Sequence, residues 1–341
     1  MAIKAIDKPA VMPSPVSIAG IFIDRHALDC HEFGRGSQDQ SMIDFFSKQH
    51  SQRNASIMVF AASSIWGLLW VPMRLIESMG VAPLWVQFWF TSMPALFLAG
   101  LYSPSLMRQR AFWPVYLISG ICIGMGYTLY AVGLLVGSVS KTTVLFYLTP
   151  IWSTLLGMIF LGESPGIRRL GAIAMATLGC CLVMRINPIE MQLEKVDLLG
   201  LLSGVFWGMG TVALRRYPEA DYKNATMAQY VCGTLITGAA ILILGTDTPD
   251  MAANGKAALV GAVFGILVFM SSFLMIIRIM QYMSPGRVGI LMLSEALVAV
   301  ISAMFFLGEL LSFDQWIGVF VILSAGVVVA FNDDASEKSE A

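Results

Sequence analysis

The chain has 341 residues, of which 57% are hydrophobic and only 13% are charged. Soluble globular proteins carry roughly a quarter charged residues, so this composition excludes a soluble protein and indicates a membrane protein. The formal net charge is −1, which argues against nucleic acid or another polyanion as a partner.

The first predicted element is a tail, residues 1–55, which contains all three histidines. It lacks the charged, apolar and cleavage regions of a signal peptide in their proper order, so we expect a weakly ordered cytoplasmic segment. Alternatively, translation starts at Met42 and the tail is short, an interpretation that a mature-protein peptide from residues 1–41 would exclude. Residues 332–341 form a second, acidic tail.

Between the tails lie ten apolar segments, each about as long as a helix that crosses the bilayer core, which takes about 20 residues. We number these spans 1 to 10: 57–79, 83–102, 112–136, 142–161, 168–185, 198–216, 225–245, 257–282, 287–307 and 313–331. The apolar runs are too long, and too little alternating, for a β-barrel. The sequence therefore predicts an all-α polytopic membrane protein embedded in the lipid bilayer.

The spans fall into two similar halves, residues 56–185 and 198–331. Trp66-Gly67 returns as Trp207-Gly208, and the segment 160–163 (FLGE) returns at 306–309. Each half holds five spans, and an odd number of crossings places the second copy upside down relative to the first. This pattern predicts ten transmembrane helices arranged as two inverted five-helix repeats.

The distribution of basic residues predicts the orientation. With residues before span 1 on the inside, Lys and Arg near the span ends favour that side by twelve to five. The positive-inside rule then places both termini in the cytoplasm. The loops are short, so we expect the function to reside within the helices.

Glu295 is the charge that lies deepest in a predicted span. It follows Arg287 by eight residues, which places it about 12 Å into a core of roughly 30 Å. A charge at that depth is unfavourable by roughly 2.5–3.5 kcal/mol on insertion scales. One interpretation is a proton site or a site for a substrate amine, since burial favours the neutral form of a carboxyl group. The other is a carboxyl group that serves packing alone.

Further site candidates lie near the same depth or at a span mouth. Pro150 falls in the middle of span 4, where it predicts a kink and a freed backbone carbonyl, and it aligns with Ala296 beside Glu295. The remaining candidates are aromatic or polar and could line a cavity, with helix packing or interfacial anchoring as the alternative: Trp66, Trp207, Tyr127, Tyr147, Gln87 and Lys141.

The two halves resemble a known family. Leu148-Thr149-Pro150 leading to Leu161-Gly162-Glu163, and 293–296 (LSEA) leading to 307–309 (LGE), are similar to the drug/metabolite transporter superfamily, specifically its EamA-type members. The resemblance covers residues 57–331. It implies a ten-helix inverted-repeat carrier with a central cavity that works by alternating access. Many members of that family export amino acids or other small metabolites.

Together these features predict a secondary transporter, not an enzyme, in the cytoplasmic membrane. Its expected partner is a small, amino-acid-like metabolite, with export favoured over import, and with proton coupling through Glu295 as a hypothesis. No cofactor is expected, and the five cysteines show no metal-ligand spacing. A homodimer stays open. The alternatives are a membrane sensor or assembly subunit without transport, and an intramembrane enzyme.

Overall fold

The structure, a computed structural model, describes residues 51–136, 139–187, 193–307 and 312–332. Within these ranges the regular secondary structure is helical, and no strand occurs. Most of the two predicted tails, including Met42, lies outside the described residues, as do the loop positions next to Glu309.

The first repeat contains spans 1 to 5, two of which are divided into shorter helices. Its helices are α1 (Gln52–Trp66), α2 (Trp70–Glu77), α3 (Pro83–Arg108), α4 (Trp113–Val136), α5 (Val139–Phe146), α6 (Thr149–Leu161) and α7 (Ile167–Val183). Span 1 therefore comprises α1 and α2, and span 4 comprises α5 and α6.

The second repeat contains spans 6 to 10. Its helices are α8 (Leu198–Arg216), α9 (Tyr222–Leu244), α10 (Met251–Val260), α11 (Ser271–Met280), α12 (Pro285–Met292), α13 (Ser294–Leu307) and α14 (Phe313–Asn332). Span 8 runs through α10, a π-helical stretch at Gly261–Met270 and α11, and span 9 comprises α12 and α13.

Eight of the predicted spans form helical segments that are long and apolar enough to cross a membrane, among the residues that the structure describes. Spans 5 and 10 are shorter. Span 5 is a helix of 17 residues, and the apolar part of span 10 covers Phe313–Val328. Length and composition therefore support eight crossings among the described residues, and the count of ten stays a prediction.

Three of the five pairs of corresponding spans pack against each other and run antiparallel. In spans 2 and 7, a Cβ atom at Gly238 would lie 3.5 Å from Phe88, near the start of span 2. At the other end of span 2, the Asn224 amide donates a hydrogen bond to Ser105 Oγ over 3.3 Å. Rising residue numbers in one helix therefore face falling numbers in the other.

The other two counterpart pairs repeat this antiparallel arrangement. In spans 4 and 9, Gly289 packs on Pro150, and Gly286 packs on Thr154 one turn further along span 4. In spans 5 and 10, Gly179 meets the backbone of Gly318, and Gln315 Nε2 donates to the Val183 carbonyl over 3.0 Å. Antiparallel contact between counterparts is what an approximate two-fold rotation between the repeats requires.

Small residues bring other helices of the two repeats close together. A Cβ atom at Gly120 in span 3 would lie 2.9 Å from the Ala228 carbonyl oxygen in span 7. At the corresponding position in span 8, a Cβ atom at Gly261 would lie 2.8 Å from the Trp89 carbonyl oxygen in span 2. Gly120 and Gly261, which occupy equivalent places in the two repeats, therefore act as packing surfaces, as small residues do between membrane helices.

Three spans are interrupted near their midpoints. Span 4 departs from the α-helix between Phe146 and Thr149, directly before the kink predicted at Pro150. Proline has no N–H group to donate in the α-helical ladder, but it fits the first turn of a helix, where Pro150 lies. Spans 1 and 9 are also interrupted, around Gly67 and Leu293, where 3₁₀-type hydrogen bonds replace the α-helical ladder. These two breaks were not predicted.

Candidate functional site

A cleft of about 530 Å³ lies between spans 1, 2, 3, 7 and 8. We call it the amide pocket, because glutamines from two spans face it. Its lining residues are Trp66, Leu69, Met73, Gln87, Phe90, Thr91, Gly124, Tyr127, Gln229, Tyr230, Gly233 and Phe269. The surface is mainly aromatic, with a few polar groups, and none of these residues carries a charge. This composition is typical of pockets for small organic molecules.

Three polar atoms at the amide pocket have no protein hydrogen-bond partner. They are Gln87 Nε2, Gln229 Oε1 and the Tyr230 hydroxyl. Gln229 and Tyr230 are each only 4% exposed, so bulk water does not compensate them. Buried polar groups are nearly always hydrogen-bonded in native proteins. The amide pocket therefore lacks both a hydrogen-bond donor and a hydrogen-bond acceptor for these groups, which a ligand could supply.

A second, smaller pocket of about 270 Å³ lies between spans 4, 6 and 9. We call it the acid pocket. Its lining residues are Phe146, Tyr147, Thr149, Pro150, Trp207, Gly289, Met292, Leu293 and Glu295. The Tyr147 hydroxyl lies within hydrogen-bonding reach of the Glu295 carboxyl group. The midplane acid thus faces a cavity and has a neutral hydroxyl group beside it.

The breaks in the helices position Glu295. It lies in the first turn of α13, directly after the interruption in span 9. Its carbonyl oxygen packs against Gly67, the first residue of the break in span 1. Two interrupted helices therefore meet at this residue.

Three aromatic side chains, Trp66, Tyr127 and Trp207, lie between the two pockets, and we call them the aromatic wall. The ring centroid of Tyr127 lies 5.7 Å from that of Trp66 and 5.6 Å from that of Trp207. Trp66 lines the amide pocket, and Trp207 lines the acid pocket. The Trp66 indole N–H donates to Ser272 Oγ over 2.9 Å, which holds the ring in place. The pockets therefore lie side by side, with these three aromatic rings between them.

Seven of the eight residues predicted from the sequence line these two pockets. Trp66, Tyr127 and Gln87 line the amide pocket, and four residues line the acid pocket: Glu295, Pro150, Trp207 and Tyr147. The backbone of Lys141 belongs to α5, but its side chain lies outside the described residues. Within the described residues no cluster of His, Cys, Asp and Glu could hold a metal ion.

Gln229 is a polar residue of span 7 that also lines the amide pocket. The sequence did not point to Tyr230, Thr149 or Phe269 as site residues. Gln229 follows Gln87 by 142 residues, close to the repeat offset, so the two glutamines occupy equivalent places in spans 2 and 7. An aligned pair of amides inside two apolar spans predicts a shared polar site on the two-fold axis.

One end of the helix bundle carries a set of polar contacts between spans. Arg169 at the start of span 5 donates to Glu163 over 3.2 Å and to Ser284 before span 9 over 2.7 Å. Arg215 donates to the Gln281 carbonyl over 3.1 Å. These contacts tie the loops 4–5, 6–7 and 8–9 together. The amide pocket extends the other way, since Met73 and Gln87 lie near the opposite ends of their helices.

The comparisons with known proteins decide the family. Residues 53–185 and 194–331 each match the EamA-like transporter family. The chain belongs to the EamA-like transporter family. The two matched ranges coincide with the two repeats, so the family assignment and the antiparallel counterpart helices describe the same duplication. EamA-like membership makes this a multi-pass membrane protein that transports small molecules.

Solved structures show the same fold. One crystal structure aligns with this EamA-like chain over 85% of its length and 100% of the other chain, with a TM-score of 0.66 and 14% identity. At that identity the similarity concerns the fold alone. No curated protein sequence matches the chain.

Proposed function

We propose that this EamA-like protein is a secondary transporter that moves a small, amino-acid-like metabolite across the cytoplasmic membrane by alternating access. In this proposal the chain crosses the membrane ten times as two inverted five-helix repeats, with both termini in the cytoplasm. The resemblance to a family with many exporters supports export over import, and the bias of basic residues supports cytoplasmic termini.

The observation that carries the proposal is the meeting of interrupted helices at two internal pockets. Spans 1, 4 and 9 break at Gly67, Leu148 and Leu293, and these breaks adjoin the pockets. Irregular backbone at membrane depth is tolerated only where protein buries it or where it lines a cavity. Broken helices around a central site between inverted repeats are the common plan of secondary transporters.

Proton coupling is the finer part of the proposal. Glu295 is the one carboxyl group among the residues that line either pocket. Three tyrosines of spans 3 and 4, Tyr127, Tyr130 and Tyr147, lie near this carboxyl group. A carboxyl group in neutral surroundings can bind and release one proton with each turnover, because burial favours its neutral form and contact with water favours its charged form.

The test compares Glu295→Gln with the unchanged protein in proteoliposomes. We expect Glu295→Gln to lose accumulation driven by a pH gradient while it keeps exchange of substrate across the membrane, because glutamine preserves shape and hydrogen bonding but cannot ionise. Glu219→Gln is the matched control, since Glu219 is exposed and lies outside both pockets. Unchanged gradient-driven transport in Glu295→Gln would rule out this residue as the coupling group. Binding without any flux would instead favour a sensor.

A further inference from the structure

The two neighbouring pockets differ in the chemistry that they can recognise. The acid pocket holds the Glu295 carboxyl group, whereas the amide pocket holds amide and hydroxyl groups. A ligand that fills both would therefore need two different polar groups, one at each end. The shared aromatic wall of Trp66, Tyr127 and Trp207 would contact the part between them.

The charges of the residues that line the two pockets disfavour an anionic ligand. Among the residues that line the two pockets there is no Lys, Arg or His, and Glu295 is an acid. A carboxylate taken from water into such a site would lose its hydration without gaining a cationic partner. A protonated amine would gain a charge-assisted hydrogen bond from Glu295.

The orphan polar atoms select for a group that both donates and accepts. Gln229 Oε1 can accept, Gln87 Nε2 can donate, and the Tyr230 hydroxyl can do either. A carboxamide supplies an N–H donor and a carbonyl acceptor in one neutral plane. It therefore satisfies two facing amides better than a hydrocarbon, which would leave them unpaired, or a carboxylate, which supplies no donor.

We infer that the substrate class is a cationic aromatic or apolar amine that carries a neutral amide or similar donor–acceptor group, and that free α-amino acids are poor ligands. The amine faces Glu295, the apolar part lies against the aromatic wall, and the amide pairs with Gln87 and Gln229. This inference rests on the proposed function and names its substrate class.

The test uses three probes that differ by one group each: 4-(aminomethyl)benzamide, 4-(aminomethyl)benzoate and 4-methylbenzamide. In the first probe the amine and the amide lie at opposite ends of an aromatic ring, as the two pockets require. Phenylalanine is added as a free α-amino acid. Binding is measured as the shift in melting temperature of the purified full-length protein, since a ligand of the folded state stabilises it. We expect 4-(aminomethyl)benzamide to bind at least about tenfold more tightly than the other probes. The benzoate and phenylalanine each carry a carboxylate that the site cannot pair, and 4-methylbenzamide lacks the amine.

Two variants separate the two contacts. Glu295→Gln is expected to remove the preference for 4-(aminomethyl)benzamide over 4-methylbenzamide, and Gln229→Leu to weaken both amides about tenfold. Glu219→Gln, which changes an exposed carboxyl group outside the pockets, should retain the wild-type order. Binding of 4-(aminomethyl)benzoate or phenylalanine as tight as that of 4-(aminomethyl)benzamide, or no binding of that amide at about 10 mM, overturns the inference.

The inference and the proposed function fail in different ways. If 4-(aminomethyl)benzamide binds with the expected preference but does not cross the membrane in proteoliposomes, transport is contradicted and the inference stays intact. Transport of phenylalanine with no preference for 4-(aminomethyl)benzamide contradicts the inference and leaves transport intact. Because binding is read on the unmodified protein, a variant that fails to fold affects neither result.

Discussion

At the midplane of this protein, both the backbone and the side chain of a residue can be held in place by contacts with neighbouring helices. Glu295 is at once a pocket-lining acid, a first-turn residue of α13 and the backbone neighbour of Gly67. Its position thus depends on how closely spans 1 and 9 approach. A residue without a side chain at position 67 allows that approach, because the carbonyl oxygen of Glu295 occupies the space that a Cβ atom would need.

Gly67→Ala tests this contact. The added methyl group would overlap the Glu295 carbonyl oxygen and lie 2.7 Å from Val298 Cβ. We expect a loss of about 1–3 kcal/mol in the free energy of unfolding, which is typical of overpacking. Thermal unfolding in detergent measures it. Gly100→Ala is the control, because no atom lies within 4 Å of its Cβ position and alanine favours a helix. Equal stability of the two variants would mean that spans 1 and 9 can move apart at little cost in free energy.

At the residue scale the sequence identified charge and aromatic character well. Glu295 stood out because a carboxyl group deep in an apolar span is costly, and Trp66 and Trp207 because they lie well inside their spans. Thr149 and Phe269 gave no such signal, since threonine and phenylalanine are ordinary residues in membrane helices. Their role follows from the helix breaks and the packing around them.

At the scale of elements, one arginine links three segments of the chain. Arg169 pairs with Glu163 after span 4 and with Ser284 before span 9, while belonging itself to span 5. Both side chains of the ion pair are mostly shielded from solvent, at 16% and 18% exposure. We propose that this end faces the cytoplasm and that the contact helps to hold it closed.

Replacing Arg169 by glutamine is expected to destabilise this closed end. The loss of a partly shielded ion pair and one hydrogen bond is worth about 1 kcal/mol, or a melting temperature lower by about 2–4 °C. Arg168→Gln is the matched control, because Arg168 is the exposed neighbour. A thermal unfolding scan of both variants measures the difference. If both melting temperatures fall equally, general surface charge explains the effect and the specific contact does not.

The elements themselves were predictable to different degrees. The spans followed from apolar length, and the interruption of span 4 followed from Pro150. The interruption at Gly67 lies one turn before Pro72, which has no N–H group to bond the Leu68 carbonyl in α-helical register, so the sequence held a signal for it. The interruption at Leu293 carries no proline, and the sequence of one helix does not reveal it. The π-helical stretch at Gly261–Met270 is a similar case, because glycines that pack on span 2 give little indication of local helix type.

At the scale of the whole molecule, the repeat symmetry is not perfect. In spans 5 and 10, Gly179 and Gly318 touch, and a Cβ atom at Gly318 would lie 2.7 Å from the Gly179 carbonyl oxygen. Gly171 and Gly179 of span 5 align with Gly318 and Gly326 of span 10 in the repeat, so the symmetry-related contact would join Gly171 and Gly326. No atom lies within 4 Å of a Cβ position at Gly171, so the related contact is absent. The two helices approach at one end only.

Alternating access by inverted repeats predicts a second state in which the repeats exchange their conformations. In that state Gly171 and Gly326 would touch, and Gly179 and Gly318 would separate. Gly171→Leu is therefore expected to keep the melting temperature of the present state and to reduce flux strongly, because leucine fills the space that the second state needs. Gly179→Leu is expected to lower the melting temperature by overpacking the present contact.

Flux in proteoliposomes and thermal unfolding in detergent separate these outcomes. Gly100→Leu controls for a bulky residue added to a span at another open position, since no atom lies within 4 Å of its Cβ position either. A Gly171→Leu variant that transports as fast as Gly100→Leu would show that spans 5 and 10 keep one crossing geometry throughout the cycle. The exchange between repeats would then be confined to the spans that line the two pockets, where the interrupted helices supply the flexibility.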